Sequence, residues 1–315
     1  MMIGNSTFSY FVLGGYMQVG SLRYLYFVLT AVTYMSNVVS NTCVIVVICM
    51  TRSLHEPMYL FLCSLFINEL YGGVAFFPFL LLHILSDIHT VPIPFCFLQI
   101  FCLYSYVNVE FLNLAAMAYD RYVAICCPLQ YHTHMTTSKV LISIFVLWLY
   151  SFAKVLVTVF LNIQLTRCRN IMDEVYCKNY SVVNLACSDT TVNNIYGLFS
   201  TVITILVPLL PILFSYMKIL LVCFSGSKET RQKAISTCAP QLASLLNFSF
   251  ACFIHILQSR MVVSGFPEVL QIFLSLYHMI IQPILNPLMF GLQISTIRNA
   301  CKNLFCHNKQ HTDLM

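Results

Sequence analysis

Long apolar runs, separated by short polar segments, follow one another along most of this chain. A helix needs roughly 20 apolar residues to cross a bilayer, and seven of the runs reach that length. None of them shows the alternation of apolar and polar positions that marks an outer-membrane strand. The pattern predicts an all-α membrane protein with a seven-transmembrane helix bundle, over residues 24–50, 58–85, 94–126, 140–161, 196–224, 234–257 and 269–292.

Composition supports this class. Hydrophobic residues make up 59% of the 315 residues, charged residues make up 9%, and the mean hydropathy is +0.81. A soluble domain has about 25% charged residues, so this chain cannot cover its surface with charge and lipid must be its main solvent. The net charge of +5 is spread over the loops. It indicates membrane orientation rather than nucleic-acid binding.

The basic residues indicate which end of the bundle faces the cell interior. With the N-terminus outside, ten lysines and arginines fall in inner segments and five in outer segments, as the positive-inside rule requires. The N-terminus carries no cleavable signal pattern, and Asn5 opens an N-glycosylation triplet. We expect an extracellular tail over residues 1–23, the bundle over 24–292, and a cytoplasmic tail over 293–315 that contains a short amphipathic helix.

The cysteines divide by location. Four of the fifteen face the outer, oxidising side, namely Cys96, Cys168, Cys177 and Cys187. An even number there favours disulfides, but spacing alone does not set their pairing. A zinc site is the weaker alternative, because no histidine lies in the second outer loop with the last three. Cys301 and Cys306 lie beside the predicted cytoplasmic helix and are candidates for palmitoylation.

Two acids lie near the middle of predicted spans. Glu69 is in the second span and Glu110 in the third, where an ionised carboxylate costs a few kcal/mol. Asn41 and Asn286 lie at comparable depth in the first and seventh spans. These four groups suit a hard cation such as sodium, which prefers oxygen ligands. The alternative is that both acids are protonated and hydrogen-bonded, because burial disfavours the charged form.

Lys154 is an unusual cation in the fourth span. Such residues are rare in membrane helices and need a partner. Three interpretations remain open. Lys154 contacts an acidic ligand, extends its amine to the membrane surface, or pairs with a loop acid such as Asp173.

Residues 117–126 read MAYDRYVAIC at the inner end of the third span. Asp120 and Arg121 can hold each other there as a latch, which opens when a partner takes the arginine. The decapeptide resembles the signature of olfactory receptors, a branch of the rhodopsin-like G-protein-coupled receptors. Four further segments resemble family motifs in the expected order, namely residues 54–59 (LHEPMY), 214–216 (FSY), 233–238 (KAISTC) and 283–287 (PILNP).

The resemblance implies an odorant receptor in the plasma membrane, in olfactory cilia if the family role holds, and not an enzyme. Its partners would be a small-molecule odorant and a heterotrimeric G protein of the stimulatory, olfactory type, which raises cyclic AMP. It also implies the disulfides Cys96–Cys177 and Cys168–Cys187, and a mid-membrane sodium ion that favours the inactive state. The residues that it assigns to G-protein coupling and switching are Asp120, Arg121, Tyr122, Tyr216, Asn286, Pro287 and Phe290.

Helical spacing and family position put the odorant in the outer half of the bundle. The predicted contact residues come from the third, fifth, sixth and seventh spans. They are Leu103, Tyr104, Val107, Asn108, Ser200, Thr201, Thr204, Cys252, Phe253, Ile256, Leu276 and Met279.

The chain departs from the family pattern at several positions. Glu69 replaces the usual aspartate, Phe290 replaces the usual tyrosine, and Ser249 stands where an aromatic residue is usual. Residues 68–72 and 247–249 resemble the branch that is abundant in fish. The alternative functions are a chemosensory receptor outside the olfactory system and, with weaker support, a membrane transporter, for which the chain shows no internal repeats.

Overall fold

The computed structural model describes residues 8–16, 22–225, 228–260, 268–293 and 297–299. Seven long helices dominate this part of the chain, and the prediction of a seven-helix bundle is confirmed. They are α1 (Arg23–Met50), α2 (Pro57–Leu85), α3 (Ile93–Cys126), α4 (Thr137–Ile163), α5 (Thr191–Ser225), α6 (Lys228–Arg260) and α7 (Glu268–Gln293). Two short helices lie in loops, Tyr131–His134 between α3 and α4 and Asn179–Val183 between α4 and α5.

Six of the seven helices are long and apolar enough to cross a membrane, and α7 has a shorter apolar part over Met279–Gly291. Their outward side chains are exposed hydrophobic residues such as Val39, Phe145 and Leu210. Exposed apolar surface of this extent marks a contact surface, and on helices of this length and hydropathy it is typical of contact with lipid. The helices therefore form a membrane bundle whose polar groups face inward.

Helix α3 lies at the centre of the bundle. It packs against α2, α4, α5 and α6, while α7 closes the ring against α1, α2 and α6. Gly72 allows α2 to approach α3 closely, because a Cβ atom at this position would lie 2.7 Å from the ring of Tyr106. This contact brings the mid-membrane polar residues of α2 and α3 together.

The outer end of the bundle carries a small sheet that the helix-only prediction missed. Strand β1 (Tyr10–Leu13) pairs antiparallel with β2 (Thr90–Pro92) and parallel with β3 (Ile171–Met172). Phe11 and Leu13 are fully buried, and the hydroxyl of Tyr16 donates to the carbonyl of Val175 at 2.7 Å. The apolar side chains of this segment thus find a core outside the membrane. The described part of the expected extracellular tail is therefore packed on the loops.

Several predicted features lie outside the described residues. Asn5 and most of the cytoplasmic tail, including Cys301 and Cys306, are among them. Residues 297–299 are helical, and the remainder of the expected amphipathic helix also falls outside that range.

Candidate functional site

The second outer loop is fixed across the outer mouth of the bundle. Disulfides join Cys96 to Cys177 and Cys168 to Cys187, with Cα–Cα distances of 5.5 and 5.6 Å. This is the pairing that the resemblance implies, and it leaves none of these four sulfurs as a thiolate for zinc. Gln99 of α3 also accepts from the backbone N–H of Cys177 at 2.9 Å. The loop residues that follow Cys177 are thereby held over the bundle interior.

Beneath this loop lies a cavity of about 260 Å³ between α3, α4, α5 and α6. Aliphatic and aromatic side chains provide most of its wall, and a few amides and hydroxyls provide the polar part. Its lining residues are Leu103, Tyr104, Val107, Asn108, Phe111, Val155, Thr158, Tyr176, Asn179, Tyr180, Gly197, Leu198, Ser200, Thr201, Thr204, Ile205, Cys252, His255 and Ile256. An apolar pocket with few polar groups is the usual form of a small-molecule site.

Nine of the twelve predicted contact residues line this cavity. Phe253 does not, and that prediction is wrong. Phe253 directly follows Cys252 and so lies about 100° further round the helix, where its side chain is 57% exposed toward lipid. Leu276 and Met279 are buried but lie outside the lining, because α7 packs against α1, α2 and α6 rather than beside the cavity.

Sequence reasoning missed the loop and α4 residues at the cavity. Tyr176 and Asn179 flank Cys177 closely, so its expected disulfide to α3 was the signal that could have found them. Tyr176 is almost fully buried, and its hydroxyl is 3.0 Å from Nε2 of His255 on α6. Burial raises the pKa of Tyr176, which keeps the phenol protonated. The loop is therefore linked to α6 at the cavity wall.

Lys154 projects into the bundle next to the cavity. Its ammonium donates to Asn108 Oδ1 at 2.9 Å, to the carbonyl of Ser200 at 2.9 Å, and to the hydroxyl of Thr204. Lys154 and Asp173 form no ion pair in the structure. These contacts contradict extension to the membrane surface and pairing with Asp173, and contact with a ligand stays a prediction.

A polar cluster lies in the middle of the membrane, where Asn286 bridges the two acids. Its amide donates to Glu69 Oε1 at 2.5 Å and to Glu110 Oε1 at 3.0 Å. The hydroxyl of Tyr106 donates to Glu69 Oε2 at 2.9 Å, and the amide of Asn68 donates to Glu110 Oε2 at 3.1 Å. Both acids are fully buried. The carboxyls are therefore neighbours, and each oxygen has a polar partner.

Helix α6 joins this cluster through Gln282 of α7. The Gln282 amide donates to Glu110 Oε1 at 3.3 Å and to Ser244 Oγ at 3.0 Å, and its carbonyl accepts from Asn247 at 2.6 Å. Ser244 in turn donates to Asn286 Oδ1 at 2.7 Å. A movement of α6 therefore changes hydrogen bonds at both acids.

Asn41 belongs to a neighbouring contact. Its amide donates to Asn37 Oδ1 at 2.8 Å and to the carbonyl of Pro283 at 2.9 Å, while its own Oδ1 is buried without a hydrogen-bond partner in the described part of the chain. The carboxyls of Glu69 and Glu110 come together as expected for a sodium site, but Asn286 directs its amide N–H groups toward them and its Oδ1 toward Ser244 and Gln282. The two carboxyls suit a small hard cation, Asn286 would join them only by turning its amide, and Asn41 lies outside the group.

The inner end of α3 carries an ion pair. Asp120 is fully buried, and its Oδ2 accepts from Arg121 Nε at 3.0 Å and Nη2 at 2.5 Å. Its Oδ1 accepts from the hydroxyl of Tyr131 at 2.9 Å. Burial and the Asp120 carboxylate raise the pKa of Tyr131, which remains a donor. The sequence reasoning missed Tyr131, whose position in the loop just after α3 was the available signal.

The other predicted switch residues surround this end of the bundle. Tyr216 on α5 is buried, and its hydroxyl has no hydrogen-bond partner among the described residues. Pro287 and Phe290 on α7 are buried, and Phe290 packs edge-on against Phe66 with ring centroids 6.4 Å apart. Tyr122 lies beside Phe214 of α5, with centroids 6.0 Å apart. Among the described members of the predicted set, side-chain hydrogen bonds join only Asp120 and Arg121.

Comparisons with known proteins agree with this architecture. A sequence model described as "Olfactory receptor" matches residues 30–308. The chain is 33% identical to olfactory receptor-like protein OLF3 of Canis lupus familiaris, over 88% of this chain and 87% of that protein. It is 32% identical to olfactory receptor 11A1 of Homo sapiens, over 98% of each. The crystal structure of squid rhodopsin has a similar fold, with a TM-score of 0.72 and 16% identity over 90% of this chain and 85% of that one.

Proposed function

Because this chain belongs to the olfactory receptor family of multi-pass membrane receptors, which are not enzymes, we propose that its outer cavity binds a small-molecule odorant. We propose that its inner end activates a heterotrimeric G protein of the stimulatory type, which raises cyclic AMP. The observation that carries this proposal is the line of three polar sites along α3. Asn108 lines the cavity, Glu110 belongs to the mid-membrane cluster, and Asp120 holds the inner arginine.

The coupling follows from how these sites share helices. An odorant that prefers one arrangement of α3, α5 and α6 around the cavity shifts the population toward it. Since Ser244 and Asn247 connect α6 to the mid-membrane cluster, a shift of α6 rearranges the bonds of Gln282 and Asn286. Pro240 in α6 and Pro287 in α7 interrupt the backbone ladder and allow the helices to bend.

At the inner end, activation replaces one set of arginine contacts by another. Arg121 leaves Asp120, and the buried hydroxyl of Tyr216 accepts from the released guanidinium. The G protein then inserts a helix of its own between the separated inner ends of the bundle.

The test of this function uses a cyclic-AMP reporter in cells that express the full chain and are challenged with an odorant panel. Arg121→Ala should abolish the response while surface labelling stays at the wild-type level. A full response in that variant would contradict the assignment of the switch.

Sodium binding is a separate part of the proposal. Glu69 and Glu110 would hold the ion, Asn286 would turn its amide oxygen toward it, and the positive charge would favour the inactive state. Replacing sodium chloride by choline chloride should raise basal cyclic AMP in the wild type. Glu110→Ala should remove this dependence, and an unchanged dependence in the variant rejects the site.

The orientation is proposed on the distribution of basic residues and the glycosylation triplet. The N-terminus lies outside the plasma membrane, or outside the ciliary membrane in an olfactory neuron. Asn5→Gln should remove a glycosidase-sensitive increase in mass. Retention of that increase would mean that Asn5 is not the glycosylated residue.

A further inference from the structure

Lys154 is a cation inside the bundle whose hydrogen-bond partners are all neutral. Its ammonium contacts an amide oxygen, a backbone carbonyl and a hydroxyl, from Asn108, Ser200 and Thr204. The ion pairs of the described residues join Arg23 to Asp87, Arg121 to Asp120 and Lys178 to Glu174. Within that part of the chain, Lys154 therefore has no acidic partner.

A cation at this depth is costly unless an anion compensates it. Arg121 shows how the same bundle meets this requirement elsewhere, with a fully buried aspartate in a two-point contact. Neutral oxygens solvate the ammonium of Lys154 but leave its charge uncompensated. Its surroundings are therefore suited to a negative group that comes from outside the protein.

The cavity brings such a group to the right position. Asn108, Ser200 and Thr204, the three residues that hold the ammonium, all line the cavity wall. The lining contains no aspartate or glutamate among the described residues, so no side chain there repels an anion. Beyond this polar corner the wall is apolar, with residues such as Leu103, Val107 and Ile256.

We propose that the cavity takes a small organic acid, whose carboxylate pairs with Lys154 while its hydrocarbon part fills the apolar wall. This assignment rests on the proposed function, because it takes the cavity as the odorant site. A carboxylate makes shorter and stronger bonds to an ammonium than neutral oxygens do, so it displaces one of the present acceptors. The Thr204 hydroxyl, which now donates to Asn108 Oδ1 at 2.9 Å, is a second donor for the same carboxylate.

The volume limits the size of the acid. At about 30 Å³ for each water-sized group, a cavity of about 260 Å³ holds about nine such groups. Straight-chain acids near octanoic acid have about this number of non-hydrogen atoms and are suitable probes. Methyl octanoate and 1-octanol keep the chain but remove the negative charge.

The experiment measures thermal stability of the purified full chain in lipid nanodiscs with these three probes. Octanoic acid should stabilise the wild type in a saturable manner, and the ester and alcohol should have much weaker effects. Lys154→Met should lower the affinity for octanoic acid by about thirtyfold or more, as expected when one member of a buried charge pair is removed. Lys154→Arg keeps the charge and should retain most of the affinity.

Three results would overturn the assignment. The first is equal stabilisation of the wild type by the acid and its ester or alcohol. The second is unchanged acid affinity in Lys154→Met. The third is no binding of any straight-chain acid from butanoic to decanoic. If Lys154→Met fails to fold, the wild-type comparison and Lys154→Arg decide the question.

The binding measurement needs no G protein, so it tests acid binding separately from the proposed cyclic-AMP signalling. Acid binding without a cyclic-AMP response supports the acid assignment and contradicts the proposed signalling. A cyclic-AMP response to neutral odorants alone, equal in wild type and Lys154→Met, supports the signalling and contradicts the acid assignment.

Discussion

Two groups of ionisable side chains lie inside the bundle, one on α2 and α3 and one on α4, and they differ in what surrounds them. Glu69 and Glu110 are fully buried, and side chains of α2, α3 and α7 donate to their oxygens. Lys154 lies next to the cavity, and its ammonium makes three hydrogen bonds to residues that line the cavity. The acids are part of the internal structure, whereas the lysine is held by three residues that line the cavity.

The difference shows how one bundle separates stability from recognition. A densely hydrogen-bonded cluster resists change, because each lost partner leaves a buried polar group unsatisfied. A cation beside a cavity is less constrained, and its best partner is missing from the described residues. We therefore expect substitutions in the acid cluster to affect folding most, and substitutions at Lys154 to affect ligand choice.

Glu110→Leu should have the largest effect on the stability of the folded protein. It removes the acceptor shared by the amides of Asn68, Gln282 and Asn286, each of which is buried. A loss of about 2–4 kcal/mol is expected, because buried donors left without acceptors cost about 1–3 kcal/mol each and some of these keep a second partner. Thermal unfolding in nanodiscs measures it, and Glu110→Gln, which keeps one acceptor oxygen, is the control.

The same stability in Glu110→Leu and the wild type would mean that the cluster does not hold α2, α3 and α7 together. That result would contradict the proposed difference between the acids, which stabilise the bundle, and Lys154, which affects ligand choice.

The helices could be predicted from the sequence because each one is marked by its own continuous run of apolar residues. A run of about 20 apolar residues has few alternatives to a membrane helix. Glu69 and Glu110 were recognised for a similar reason, since carboxyls in such runs are costly. Asn286 and the Asp120–Arg121 latch were recognised from polar groups within or at the end of apolar runs, and motif resemblance then supported both.

Features that depend on the rotation of a helix or on tertiary contacts were not predictable in this way. Phe253 was assigned to the cavity, yet one residue of rotation turns its side chain toward lipid. The pairing of β1 with β2 and β3 joins segments about 80 and about 160 residues apart, and a short apolar run such as Tyr10–Leu13 does not by itself identify such distant partners. Tyr131 reaches Asp120 only because the loop after α3 folds back.

Gly72→Ala should have the next largest effect on thermal stability. It should disturb the cluster around Glu69 and Glu110 without changing any polar group. The added Cβ would lie 2.7 Å from the Tyr106 ring, whose hydroxyl donates to Glu69. Overpacking of this kind costs about 1–3 kcal/mol. Gly197→Ala is the matched control, because its nearest neighbour lies 3.9 Å away. Equal thermal midpoints for the two variants would show that α2 and α3 do not need this close contact.

Tyr131→Phe should have a smaller effect on stability, because Arg121 at the inner end of the bundle is already paired with Asp120. The change removes one of the bonds to Asp120 and leaves the two from Arg121. A loss of about 1 kcal/mol from the inactive state is expected, which should raise basal cyclic AMP several-fold. Tyr119→Phe is the control, since Tyr119 lies next to Asp120 on α3 and its side chain is exposed. A basal level equal to that of the control would show that Tyr131 does not restrain the latch.

Lys154→Met should have the smallest effect on the stability of the ligand-free protein. Removing the ammonium deletes three hydrogen bonds but also removes a cation that no described acid compensates. The hydroxyl of Thr204 continues to donate to Asn108 Oδ1, so that oxygen keeps a partner. These effects should offset each other to within about 1 kcal/mol. A thermal midpoint that falls as far as that of Glu110→Leu would mean that Lys154, like the acids, is part of the internal structure of the bundle.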